Sequence, residues 1–314
     1  MRKLARWSFG IPALIVLGSC ITPPASPPLR AQATAPRQAA SPRQAVPVFQ
    51  PRRGPEPART SFSYAGSLTQ GGVVIGIAPS GTSLLMFNGA TIPVAADGRF
   101  VIGFDRDAGG AASIVATLED GRQIRDTLTI APRAWDISRL NSLPKFPVPQ
   151  PEFERLRPAE LAQINAARRM TTDAAGWRQP FLWPTIGRIS TLFGSQRIYK
   201  NGEAGSYHSG LDVAVPQGTP VLAPADGVVI LAADHPFTLE GNLLMVDHGM
   251  GLNSAFLHLS RIAVHVGEHV RRGETIAWSG MTGRATGPHL HWSMKWREAK
   301  IDPLLVAGPM PRGE

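Results

Sequence analysis

The sequence predicts a mainly β protein in which a small antiparallel β-sandwich is followed by a helical connector and a second β-rich domain. Short β-branched runs separated by Gly, Pro, Asn and Asp recur in residues 61–132 and again in residues 181–307. Between these regions, residues 133–180 include a stretch with apolar residues at helical spacing. The chain has 314 residues, which is enough for about two domains.

Residues 1–20 have the layout of an export signal, with basic residues followed by an apolar run. This run is too short to cross a bilayer of about 30 Å, so we expect it to be cleaved. The motif Leu17-Gly18-Ser19-Cys20 resembles a bacterial lipoprotein signal, which implies lipidation of Cys20 and an exported, periplasmic, membrane-anchored protein. An ordinary secretory signal with an incidental thiol is the alternative.

Residues 21–60 contain ten prolines and little apolar content, so we expect an extended, disordered tether. The formal net charge of +9 is concentrated in the leader, this tether and the connector. Residues 181–314 have 11 basic and 11 acidic residues, and therefore no net charge. This distribution argues against nucleic-acid binding. Cys20 is the only cysteine, which excludes an internal disulfide and any Cys-based zinc motif.

The region 61–132 is predicted to be the β-sandwich. Hairpin turns are expected at three pairs, Asn88-Gly89, Asp97-Gly98 and Asp120-Gly121. The predicted strands are Val73 to Ile77, Leu84 to Phe87, Thr91 to Val94, Phe100 to Phe104, Ser113 to Leu118 and Gln123 to Ile130. The region contains no His or Cys, so binding or spacing is its expected role.

In the connector, residues 133–180, a helix is predicted to begin at Pro158 and continue to Met170, because proline is favoured in a first helical turn. Its apolar stripe would be Leu161, Ile164, Ala167 and Met170. The sequence leaves open whether this helix packs on a neighbour or lies over a groove. Residues 308–314 are expected to be a tail.

All eight histidines lie in the last domain, residues 181–307. Alternation along the predicted strand 289–296 places His289 and His291 on one face, with the Leu and Trp residues on the other. The same reasoning for residues 254–260 places His258 on a face with Phe256. Upstream, His208 and Asp212 are an even number of residues apart and share a side if this segment is extended.

Two His and one Asp would supply three ligands to a tetrahedral zinc with water in the fourth position, which is the arrangement of a catalytic site. Such an ion lowers the pKa of its water and polarises a carbonyl group. The helical motif His-Glu-x-x-His is absent. The general base is therefore an unligated His, or the metal ion contributes more to activating the water.

These motifs resemble the LytM or lysostaphin-type zinc metallopeptidases, which cut peptidoglycan peptides. The resemblance covers residues 181–307 and includes the run Gly287-Pro288-His289-Leu290-His291. It implies that zinc is held by His208, Asp212 and His291. It also implies that His258 and His289 are unligated, with one acting as general base and both steadying the oxyanion.

The resemblance further implies a narrow groove walled by loops, here Ser195 to Tyr207 and Asp234 to Glu240. Phe256 is expected in this groove, where many relatives carry a Tyr. The leading hypothesis is a zinc endopeptidase that acts on peptidoglycan stem or cross-link peptides. Alternatives are a LytM-type regulator that activates a wall amidase, and a wall-binding protein whose sandwich sets its function. The sequence does not identify a regulatory protein partner.

Overall fold

The computed structural model describes residues 58–140 and 151–311. The expected export signal, its Cys20 and nearly all of the expected tether lie outside the described residues, as do connector residues 141–150 and the last three residues of the tail. Within the described ranges, no helix is long and apolar enough to cross a membrane.

The first β unit is a small sandwich of two antiparallel sheets. Three strands form one sheet in the order β1-β2-β5, and four form the other in the order β4-β3-β6-β7. The strands are β1 Ser63–Gly66, β2 Val73–Ile77, β3 Thr82–Phe87, β4 Ala90–Ile92, β5 Arg99–Gly103, β6 Ala111–Leu118 and β7 Gln123–Thr129. Buried and exposed residues alternate along β6, as expected for a sheet with one face on the core.

Six of these strands overlap the predicted ones, and β1 is additional. The Asn88-Gly89 pair joins β3 to β4 with φ of 48° and 80°, values that favour Asn and Gly at a tight hairpin turn. The short β1 escaped prediction because it is largely exposed and has little apolar content.

The connector contains strand β8, Ile137–Arg139, and helix α1, Pro151–Arg169. The predicted start at Pro158 was therefore wrong, because this proline lies inside the helix and Pro151 is its first residue. The predicted stripe was only partly right. Ile164 and Ala167 are buried, whereas Leu161 and Met170 are exposed.

The second β unit is organised around an eight-stranded sheet. Seven strands follow the order β17-β13-β14-β15-β19-β11-β9, and β20 pairs with β19. A three-stranded sheet has the order β12-β18-β16, and β10 pairs with β8. The bounds are β9 Arg188–Thr191, β10 Gln196–Ile198, β11 Gly210–Ala214, β12 Pro220–Leu222, β13 Gly227–Ala232, β14 Asn242–Asp247, β15 Leu252–Leu259, β16 Arg261–Ile262, β17 His269–Val270, β18 Thr275–Trp278, β19 Leu290–Trp296, β20 Ala299–Ile301 and helix α2 Pro303–Ala307.

Both faces of the large sheet are covered at its centre. On one face, Phe256 and Trp292 belong to a core that also contains residues of the three-stranded sheet. On the other face, Met245 and Ala255 pack with Ile164 and Ala167 of α1. This two-sided burial explains why all seven residues of β19 are buried, although the sequence predicts a wetter face for its polar residues.

The two β units share one continuous hydrophobic core. Phe87 of β3 packs edge-on against Trp296 of β19, with ring centroids 5.7 Å apart. A Cβ on Gly103 would approach Ile301 and Trp296 within 2.8 Å. Strand β5 can therefore lie this close to β19 and β20 because residue 103 has no side chain. The first unit is therefore packed directly on the hairpin β19–β20.

Candidate metal centre

Three side chains suited to binding a metal converge at one edge of the large sheet. Asp212 of β11 and His291 of β19 are direct cross-strand partners, and His208 lies just before β11. The carboxylate Oδ1 of Asp212 is 2.9 Å from His291 Nδ1 and 3.1 Å from His208 Nε2. The two imidazole nitrogens are 3.0 Å apart. Antiparallel pairing of β11 with β19 thus brings together residues that are 79 positions apart.

The hydrogen bonding around His208 favours a cation between these atoms. His208 Nδ1 lies 3.2 Å from the carbonyl oxygen of Leu192, which accepts a hydrogen bond from it. In neutral His208 the other nitrogen, Nε2, is then a bare acceptor that faces the acceptor Oδ1 of Asp212. Two lone pairs at this distance repel each other unless a positive charge lies between them. The ligand atoms of these three side chains therefore fit a divalent metal ion.

Burial and charge set the protonation of the cluster. Burial alone would raise the pKa of Asp212, but its close contacts with the imidazoles of His208 and His291 outweigh burial and hold this pKa well below its usual range. Burial lowers the pKa of His291 to about 4. Both groups are thus in the unprotonated forms that metal binding requires near neutral pH. The Nε2 atom of His291 is buried and has no hydrogen-bond partner in the described residues.

A β-bulge brings His258 to the same site. Between β14 and β15, one residue of β14 faces two residues of β15, Leu257 and His258. His258 has a φ of 61°, which is rare for a residue with a side chain. Its ring centroid is 4.8 Å from that of His289 and 6.1 Å from that of His291. The bulge thus places His258 on the His291 face of the sheet.

This bulge also shows why the expected position of Phe256 was wrong. Strict alternation predicts that Phe256 and His258 share a face, and hence that Phe256 lines the groove. Phe256 is instead fully buried in the core beside Trp292, its cross-strand partner. The extra residue at the bulge breaks the alternation between Phe256 and His258, and periodicity alone gives no signal of such an insertion.

His258 and His289 both bond to a backbone carbonyl through Nδ1. Nδ1 of His258 is 2.8 Å from the carbonyl of Thr282, and Nδ1 of His289 is 2.8 Å from that of Gly287. These carbonyls require a proton on Nδ1, which leaves Nε2 as the acceptor in the neutral rings. His289 Nε2 is 3.7 Å from Asp212 Oδ1. Burial lowers the pKa of His258 and so favours the neutral form.

Helix α1 supports the loop beside His258. Arg157 makes two hydrogen bonds to the Glu240 carboxylate, at 2.6 and 2.8 Å. Glu160, which is 4% exposed, accepts hydrogen bonds from the backbone and the hydroxyl of Thr238. The Glu240 carbonyl in turn accepts from the backbone N–H of His258 at 2.8 Å. The sequence does not single out Arg157 and Glu160, because the helix predicted to begin at Pro158 excludes Arg157. In the longer helix α1 the two residues are three positions apart, a spacing at which helical side chains form ion pairs.

The remaining histidines lie outside the cluster. His248 is completely buried, with Nδ1 on the Asp226 carbonyl and Nε2 on the Ser254 hydroxyl, which is a structural arrangement. His235, His265 and His269 are exposed. Trp292 and Trp296 are buried, as expected for core residues.

The stretch of chain that holds the cluster is similar to a known family. Residues 206–303 match the model of peptidase family M23. Over 123 residues, the chain is 40% identical to the peptidoglycan DD-endopeptidase ShyA of Vibrio cholerae, a match that covers 39% of this chain and 28% of that protein. It is also 40% identical over 124 residues to the DD-carboxypeptidase/endopeptidase Mpg of Neisseria meningitidis, covering 40% of this chain and 28% of Mpg. The matches therefore span less than a third of these relatives' own length.

Among solved structures, a peptidase M23 of Pseudomonas aeruginosa has a similar fold, with a TM-score of 0.60 and 29% identity. This similarity covers 77% of our chain and 96% of that one, so it extends well beyond the stretch that matches the family model. Family M23 metallopeptidases are zinc-dependent, and the cluster of His208, Asp212 and His291 fits this metal.

Proposed function

We propose that this chain, whose C-terminal unit is a peptidase family M23 domain, is a zinc-dependent endopeptidase that hydrolyses peptide bonds in peptidoglycan stem or cross-link peptides. One observation carries the proposal. Three groups that suit zinc, His208, Asp212 and His291, meet beside two further imidazoles, each of which is bonded to a backbone carbonyl through Nδ1. The substrate class follows from the names of the relatives, ShyA and Mpg.

In this mechanism His208, Asp212 and His291 would hold the zinc ion, with Nε2, Oδ1 and Nδ1 as the atoms that lie closest together. When bound, zinc lowers the pKa of a coordinated water and polarises the scissile carbonyl. The Nε2 atom of His258 or of His289 accepts the proton of the attacking water and returns it to the leaving amine. Both rings are fixed in the correct tautomer by backbone carbonyls, and the protonated ring steadies the developing oxyanion.

The complete set of side chains favours an enzyme over a regulator that lacks catalysis. A regulator of this fold has no need for metal ligands or for a general base. Here the three ligand positions and both unligated imidazoles are present and are brought within reach of one another. The activation of a wall amidase is therefore the outcome to expect only if purified protein shows no hydrolysis.

For the location, we propose an exported, membrane-anchored protein in the periplasm, lipidated at Cys20. The motif Leu17-Gly18-Ser19-Cys20 supports this proposal, and so does the substrate class, because peptidoglycan lies outside the cytoplasmic membrane. Metabolic labelling with a palmitate analogue tests it. Incorporation is expected in the unmodified protein and should be lost in Cys20→Ala, whereas equal labelling of both would contradict lipidation.

The decisive experiment for the activity uses purified protein and defined cross-linked peptidoglycan, with product identification by mass spectrometry. We expect cleavage of peptide bonds, its loss after treatment with a chelator, and its recovery on addition of zinc. His291→Ala serves as the matched inactive control. Cleavage that persists in metal-free protein would contradict the mechanism, and no cleavage at any zinc concentration would favour the regulatory function.

A further inference from the structure

The first β unit reaches the metal centre through the turn that follows β5. Arg106 lies in this turn, and its side chain is only 8% exposed although it carries a charge. Its Nε donates to the Gly194 carbonyl at 3.1 Å, and its Nη2 donates to Gln196 Oε1 at 3.1 Å. Both acceptors belong to the segment 192–208, which joins β9 to His208.

Two backbone hydrogen bonds join Gly194 and Ser195 to His208. The N–H of Gly194 donates to the His208 carbonyl at 2.9 Å, and the N–H of His208 donates to the Ser195 carbonyl at 2.8 Å. The ring itself bonds to Leu192 in the same segment. Arg106 thus holds the short stretch that orients the imidazole of His208.

A second contact acts on the residue next to His208. Asp105 Oδ1 accepts a hydrogen bond from the hydroxyl of Tyr207 at 3.0 Å, and its Oδ2 accepts from the backbone N–H of Lys300 at 2.9 Å. The guanidinium carbon of Arg106 lies 4.8 Å from the centroid of the Tyr207 ring, a distance typical of a cation–π contact. Asp105 therefore ties Tyr207 to the hairpin β19–β20.

The packing around Gly194 leaves this segment little freedom to move. Gly194 has a φ of 81°, and a Cβ at this position would overlap the ring of Trp135. The Trp135 ring also packs edge-on against Phe193, with centroids 5.8 Å apart, and lies 5.1 Å from the Arg106 guanidinium. Aromatic packing on Phe193 and Gly194 and the hydrogen bonds of Arg106 to Gly194 and Gln196 therefore hold the same short stretch of chain.

We propose that Asp105 and Arg106 are positioning residues for His208, and that the first β unit is thereby a structural part of the metal site. The proposal rests on the proposed function for its activity readout, but not for its metal readout. Groups that do not bind the metal themselves but hold a ligand residue in its orientation contribute about 10- to 100-fold to metal affinity or activity. Arg106 is suited to this task because its planar guanidinium reaches two acceptors and an aromatic face together.

The test measures the zinc dissociation constant of the full-length protein by competition with a fluorescent zinc chelator. Arg106→Ala should weaken zinc binding by about tenfold or more. Arg106→Lys should not restore it, because a single ammonium cannot replace the fork. At stoichiometric zinc, kcat should fall with the loss of metal and recover in excess zinc, while KM stays within about twofold. The control is Arg122→Ala, an exposed pair with Asp120 in the same unit, which should change nothing.

Tyr207→Phe keeps the ring and removes only the hydroxyl that bonds to Asp105, so it decides the matter if Arg106→Ala does not fold. We expect zinc binding weakened by about threefold, the size of one hydrogen bond. Zinc dissociation constants within twofold of the unmodified protein in folded Arg106→Lys and Tyr207→Phe would overturn the proposal. Failure of the proposed function is distinguishable, since the unmodified protein itself would then neither retain zinc nor cleave peptidoglycan.

Discussion

The two β units follow similar rules of strand and turn, yet only the second contains a cluster of reactive side chains. In β6 of the first unit, exposed Ala111 and Ser113 alternate with buried Ala112 and Ile114, because one face meets solvent. In β19 of the second unit every residue is buried. Polar groups inside a sheet covered on both faces are desolvated, which strengthens their interactions and shifts their pKa values. Two-sided burial therefore distinguishes the sheet that holds the site.

The two units should differ most in metal binding and catalysis. His291→Ala removes one of three ligands, so it should abolish zinc retention and lower kcat/KM by about 1,000-fold or more. Zinc content by atomic emission and cleavage of cross-linked peptides measure the two effects. Retention of zinc at the unmodified level would show that the metal is held elsewhere.

His258 and His289 should separate metal binding from turnover. Alanine at either position leaves the three ligands in place, so zinc content should not change. His289→Ala should lose nearly all turnover, by about 100- to 10,000-fold, if its ring transfers the proton. The same measurement on His258→Ala identifies which ring is the base, because the larger loss in kcat marks it. Full activity in both variants would contradict a role for either imidazole.

Burial of both faces can be tested by placing a carboxylate at comparable positions of the two units. Ala255→Asp puts a charge among the apolar side chains between β15 and α1, which include Ile164 and Ala167, and should cost about 3 kcal/mol of unfolding free energy. Ser113→Asp, on the exposed face of β6, should stay within about 0.5 kcal/mol. Urea unfolding followed by circular dichroism measures both. Equal costs would remove the proposed difference between the sheets.

The buried His248 predicts a pH dependence specific to the second unit. Burial lowers its pKa from 6.5 to about 4 in the folded protein. Between these values the unfolded chain binds more protons than the folded one, so stability increases with pH through this window and is complete above about 6.5. The contribution lost on going to pH 4 is about 3 kcal/mol. The stability difference between the unmodified protein and His248→Gln, measured from pH 4 to 7, should shrink towards pH 4. A difference independent of pH would contradict it.

The sequence predicts much of the first unit because local rules decide it. Gly98 and Gly121 have the positive φ that their turn pairs predict, and the alternation in β6 places the core. The structure also brings together Asp212 and the four histidines that the sequence motifs single out; their roles as ligands and base stay predictions. Phe256 was misplaced because a bulge depends on long-range pairing between β14 and β15, which leaves no periodic trace.

The start of α1 and the supports of the site were missed for a related reason. A proline at position 158 is typical of a helix start by local preference, but the helix continues upstream of it, where Arg157 is held by two hydrogen bonds to Glu240. Asp105 and Arg106 contact the segment that precedes His208, although they lie about 100 residues earlier in the chain. At such a separation, the positions of residues in the sequence do not predict which of them will be in contact.

We propose that His208, Asp212 and His291 together bind one zinc ion in an open coordination sphere. X-ray absorption at the zinc edge of the full-length protein tests this most directly. We predict two imidazole nitrogens and carboxylate and water oxygens at about 2.0 to 2.2 Å, with no sulfur, and a loss of one imidazole contribution or of the metal in His291→Ala. A shell containing sulfur, or one unchanged in His291→Ala, would contradict the account.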